Sequence, residues 1–182
     1  IAVIFYHAEI AFSDVKPFDG GFIGVDIFFV ISGYLITSII FKELVLTGSF
    51  NFKRFYIRRI RRIVPVLLFV ILTILPFAYL YLLPNSFGDF FKSILSSLTF
   101  SSNFYFHYTG QIYGADSGFL KPFLHTWSLS VEEQFYIIFP LILLMVFKYF
   151  KKYLIHYLVL IFIMSLTAAH YNSINYPSAS FY

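Results

Sequence analysis

The 182-residue chain is 12% charged, 59% hydrophobic and 23% aromatic, with a mean hydropathy of +0.80. About a quarter of a soluble domain is charged, so this composition excludes an ordinary water-facing surface, and the apolar content excludes disorder. There is no cysteine for a disulfide scaffold, and the net charge of +4 matters less than its placement, because basic residues beside membrane spans set orientation.

In chain order, the apolar run Ile1 to Ala8 begins without a methionine, and 175–182 carries no closing signal. The sequence therefore reads as one partial domain over 1–182, cut at both ends from a larger polytopic protein. About 20 apolar residues cross a bilayer, which predicts spans over Phe22 to Phe41, Ile63 to Leu83, Thr126 to Phe147 and Tyr153 to Ala169. The fold class expected is an all-α polytopic transmembrane bundle. Phe90 to His107 is harder to place, since it carries Lys92 and the serines at 93, 96, 97, 101 and 102. We expect it to cross incompletely, which returns Lys148, Lys151 and Lys152 to the side that holds Lys42 to Arg62. Seven of the thirteen Lys and Arg lie in that interval, so it reads as cytoplasmic, and the loop with Glu9, Asp14 and Asp19 as external. Between two apolar spans, the basic interval suits a positive-inside loop and needs no nucleic acid.

Charges at membrane depth cost roughly 2.5 to 3.5 kcal/mol, so they normally face a cavity or a partner. His7 closes the first apolar run, either as an interfacial cap or as a general base. Asp26 follows a glycine-rich stretch, Gly20-Gly21-Phe22-Ile23-Gly24-Val25, about four residues inside its span; it is either half of a structural pair or a group that orients a histidine. In Arg58-Arg59-Ile60-Arg61-Arg62, helical spacing sets Arg58 and Arg62 one turn apart with Arg59 and Arg61 flanking, a basis for anchoring to anionic lipid or for holding a phosphate-rich donor such as coenzyme A. The block His125-Thr126-Trp127-Ser128-Leu129-Ser130-Val131-Glu132-Glu133 puts two carboxylates at the mouth of an apolar helix. Ser130 with Glu133 fits a capping box, whereas Ser128, Glu132 and Tyr136 line one face as a polar stripe. Trp127 reads equally as an interface anchor or a stacking platform. The histidines lack ligand-like spacing, so no metal site is expected.

Together the blocks Gly20 to Leu35, Arg58 to Pro65 and His125 to Tyr136 resemble, in that order, the acyltransferase-3 family of integral-membrane enzymes that O-acylate cell-surface polysaccharide, lipopolysaccharide and peptidoglycan. The resemblance covers nearly the whole chain and implies the N-terminal half, five or six helical segments, of a roughly ten-helix domain. It implies that His7 is an essential first-helix histidine, that Arg58, Arg59 and Arg62 serve an acyl donor on the cytoplasmic side, and that Trp127 to Glu133 belongs to the functional core. The family also carries an arginine eleven residues before the histidine, a position that would precede Ile1.

The function expected is O-acylation: an acyl group, acetyl by preference, passes from cytoplasmic acyl-CoA to a hydroxyl of a cell-surface carbohydrate. His7, Asp26, Glu132 and Glu133 are the catalytic candidates; Arg58, Arg59 and Arg62 are donor-binding; His125, Trp127 and Ser128 shape the acceptor side or core. Acetyl-CoA enters as a substrate, with no permanently bound cofactor, and the bilayer and carbohydrate are the partners, in a bacterial-type inner membrane. A transporter of a lipid-linked glycan would also line its path with buried His, Asp and Arg. A non-catalytic scaffold subunit explains them least.

Overall fold

The computed structural model describes Val3, Phe5, residues 20–21, 23–110 and 121–175. Among these, the helices are α1 (Ile23–Thr47), α2 (Phe52–Tyr81), α3 (Pro84–Leu98), α4 (Ser102–Gly110), α5 (Thr126–Phe150) and α6 (Leu154–Asn175). Of them, α1, α2, α5 and α6 are long and apolar enough to cross a membrane. The chain divides into two units, 1–50 and 51–182.

In the first unit α1 runs six residues beyond its expected end at Phe41 and stops at Gly48, whose φ of 71° lies in the left-handed region that glycine enters at little cost. Its buried residues, Ser32, Ile36, Ile40 and Leu44, recur every four positions and so form one stripe. A close approach explains Gly24. A Cβ there would sit 2.8 Å from the Val3 side chain, too near for any larger residue without movement.

In the second unit α2 begins eleven residues before the apolar run at Ile63, so the arginine block is itself helical. Asn51 starts it: the side-chain oxygen accepts from the Arg54 N–H at 2.9 Å, satisfying one of the free donors of the first turn. Phe90 to His107 resolves into two helices of 15 and 9 residues, α3 and α4, about 22 and 14 Å long against a hydrocarbon layer of about 30 Å. Neither can cross alone. The chain reverses at Phe100, a non-glycine residue with φ of 52°. Lys92, awkward for a buried span, pairs on an exposed face with Asp89 at 2.8 Å.

What holds α3 and α4 against α5 is a run of hydroxyls. Ser97 Oγ lies 2.8 Å from Thr126 Oγ1, Thr126 donates to Ser102 Oγ at 3.0 Å, and Ser102 Oγ lies 2.7 Å from Ser130 Oγ. All four residues are buried. Hydrogen bonds between membrane helices are worth about 0.6 kcal/mol each, so a chain of three is a modest clamp that also fixes register. Gln134 extends it, donating to the Phe100 carbonyl at 2.8 Å and to Asn103 Oδ1 at 2.9 Å. Beneath lies an apolar core of Leu67, Ile71 and Ala78 from α2, Phe90 and Ile94 from α3, Phe106 from α4 and Phe123.

Candidate functional site: a basic and acidic junction between α2 and α5

The arginine block and the acidic pair, about 70 residues apart in sequence, meet where α2 passes α5. Phe55 and Tyr136 are almost fully buried and the guanidinium of Arg59 lies between them, with its Cζ 4.6 Å from the centre of the Tyr136 ring and 5.7 Å from that of Phe55. The ring faces attract the cation through their quadrupoles. The Tyr136 hydroxyl donates to Glu132 Oε1 one turn back. An arginine of α2 and a carboxylate of α5 are thus linked through one tyrosine.

Glu133 lies beside this link, buried, and its Oε1 has no hydrogen-bond partner among the described residues. A carboxylate oxygen in that condition is costly unless something accepts its charge or supplies a donor.

Tyr56 braces the junction. Pro140 lacks an N–H, so the carbonyl of Tyr136, four residues earlier, loses its intrahelical donor. The Tyr56 hydroxyl supplies one, sharing itself between the carbonyls of Tyr136 at 3.3 Å and Ile137 at 3.4 Å. The sequence reading missed Tyr56; its signal was Pro140, which leaves a known carbonyl in an apolar helix in need of a donor.

The other expected residues fall in distinct places. Arg58 and Arg62 are exposed, so the three arginines do not converge side by side; among the described residues, Arg59 is the one of the three whose guanidinium sits against the Tyr136 ring. Ser128 turns back to the His125 carbonyl at 3.2 Å, which leaves Glu132 and Tyr136 as the joined part of the expected stripe. The capping box of Ser130 and Glu133 does not form, because α5 starts at Thr126; Ser130 sits a turn inside the helix and bonds Ser102. Trp127 packs against the apolar core, and His125 is exposed just before α5. Asp26 occupies the first turn of α1, where an acid is favoured by the helix dipole, and is exposed. His7 lies outside the described residues. Among those described, no cluster of His, Asp and Glu is placed to hold a metal.

The profile of a family described as an acyltransferase domain matches residues 1–182. A peptidoglycan O-acetyltransferase OatA from Listeria monocytogenes is 40% identical over 155 residues, covering 84% of this chain and 24% of that protein. An uncharacterized protein of Haemophilus influenzae is 42% identical over 161 residues, covering 87% of this chain and 62% of that protein. The O-acetyltransferase OatA of Staphylococcus aureus is 36% identical over 152 residues, again 24% of its length. The chain therefore spans about a quarter of the OatA proteins it matches. No solved structure shows significant similarity to it.

Proposed function

The chain belongs to the acyltransferase-domain family, and on that premise we propose that it forms part of an integral-membrane O-acyltransferase that passes an acetyl group from acetyl-CoA to a hydroxyl of a cell-surface carbohydrate. Four apolar helices of spanning length support the membrane setting. The names of the OatA relatives support acetyl as the group, and the Listeria protein suggests peptidoglycan as the acceptor.

The observation that carries the reading is the Arg59, Tyr136 and Glu132 link, because it joins a cationic donor-binding helix to a carboxylate-bearing one. Arg59, with Arg62 at the rim, meets the phosphates of the acyl-CoA from the cytoplasmic side; guanidinium and phosphate form strong paired hydrogen bonds. The acceptor oxygen attacks the thioester carbonyl, the carbon–sulfur bond breaks, and the coenzyme A thiolate leaves and takes up the proton. His7 is the general base for that proton, or takes the acyl group first and passes it on. Asp26, Glu132 and Glu133 are the carboxylates available to orient or polarise the imidazole.

The test is transfer of labelled acetyl from acetyl-CoA to surface glycan in vesicles holding the intact parent protein. General base catalysis is worth about 10²- to 10⁴-fold, so His7→Ala should lower transfer by that factor with insertion into the membrane unchanged. Full transfer by His7→Ala would remove the histidine from the reaction. No transfer by the unaltered protein, with glycan present, would remove the acetyl-CoA donor.

A further inference from the structure

The basic end of α2 has two faces, and the junction uses only one. Lys53, Arg54, Ile57, Arg58 and Arg61, with Asn51 at the rim, line a groove of about 430 Å³. Four of these residues are cations and none is an acid. At 3.6 residues per turn the middle of this groove is roughly 160° round the helix from Arg59. A donor seated there would point its thioester away from Glu132 and Glu133.

We propose that this groove binds the phosphate of anionic membrane lipids. Depth supports a lipid occupant. The uncharged run of α2 begins at Ile63, so a rise of 1.5 Å per residue sets Arg61 about 3 Å, Arg58 about 8 Å and Arg54 about 14 Å outside the apolar stretch, through the headgroup layer. Long basic side chains from the outermost turn reach inward towards that layer. Ile57, exposed among the cations, gives the groove an apolar floor for the glycerol and upper acyl carbons. Phosphate is common to lipid headgroups and to the donor nucleotide, and the groove takes the lipid because it opens away from the acidic pair. The proposal needs α2 to span a bilayer; it does not need acyl transfer.

The experiment uses the full-length parent protein in a neutral detergent, titrated with phosphatidylglycerol, phosphatidylcholine or acetyl-CoA and read by native mass spectrometry. The variant Lys53→Gln/Arg54→Gln/Arg61→Gln leaves Arg58, Arg59 and Arg62 in place. Each basic side chain near an anionic surface contributes about a fivefold factor, so the triple variant should bind phosphatidylglycerol roughly a hundredfold more weakly and Arg61→Gln alone about fivefold more weakly. Phosphatidylcholine should bind both proteins alike, and acetyl-CoA should not displace phosphatidylglycerol. The charge-keeping variant Lys53→Arg/Arg54→Lys/Arg61→Lys should retain lipid, which separates lost charge from lost folding. Equal phosphatidylglycerol binding by wild type and triple variant would overturn the proposal. Displacement by acetyl-CoA would also overturn it and give the groove to the donor. An enzyme that binds the lipid yet fails the acetyl-transfer assay would count against the function proposed above and leave this groove standing.

Discussion

Tyr136 uses both ends of its side chain, the ring for Arg59 and the hydroxyl for Glu132. The two contacts are separable by substitution. Tyr136→Phe keeps the ring and strips Glu132 of its donor; Tyr136→Leu loses both. A cation over an aromatic face is worth about 0.5 to 2 kcal/mol, so under the proposed acetyl transfer, with Arg59 on the donor, Tyr136→Leu should raise the KM for acetyl-CoA roughly two- to thirtyfold, whereas Tyr136→Phe should leave that KM near the wild-type value and lower kcat. Steady-state kinetics on the intact enzyme makes the distinction, and an equal rise in KM for both variants would show that the ring does not position Arg59. The Glu132 and Tyr136 pairing was legible in the sequence, since residues four apart on a helix share a face. Its connection to Arg59 was not, because that depends on which face of α2 turns towards α5, and spacing within one helix carries no such information. The capping-box reading failed for a related reason: a helix start shifted by one turn converts a cap into an interior residue that seeks a partner on a neighbouring helix.

Apolar run length located all four long helices, with shifts at their ends. It did not reveal that the serine-rich segment folds as two helices, because the reversal falls at Phe100, where no glycine, proline or asparagine marks a turn. Once α3 and α4 separate, Ser97 and Ser102 have a purpose as hydrogen-bond partners of Thr126 and Ser130 on α5. The packing of α2 on α5 depends likewise on one repaired carbonyl. Tyr56→Phe leaves the Tyr136 carbonyl without a donor and should cost about 1 to 3 kcal/mol. Pro140→Ala restores the missing N–H to the same carbonyl, so Tyr56→Phe added to Pro140→Ala should cost much less than it does alone. The expected non-additivity is about 1 kcal/mol or more, measurable as a double-mutant cycle of unfolding in detergent. Strict additivity would mean that Tyr56 acts through its ring contacts and not through that carbonyl.

Across the whole molecule the unresolved choice in the sequence was the side on which α5 begins, and the short hairpin α3 and α4 bears on it directly. Neither helix is long enough to cross alone, so α5 should enter on the side where α2 leaves, and its end at Phe150 should return to the side where α2 starts. That path puts Lys148, Lys151 and Lys152 with the arginine block on one face of the membrane, as the distribution of positive charge favours. The lack of cysteine makes the path measurable, because every introduced thiol is the only one in the chain described. Lys53 and Tyr153 are exposed near the two basic ends, and a side chain added at Gly88 meets nothing within 4 Å. In a parent protein cleared of other thiols, an impermeant maleimide should label Lys53→Cys and Tyr153→Cys from the same side of sealed vesicles and Gly88→Cys from the other. Labelling of Tyr153→Cys on the Gly88 side would mean that the segment between α2 and α5 crosses after all. The charge rule would then be violated by three lysines at the end of α5, and the cytoplasmic assignment of everything after Leu83 would be reversed.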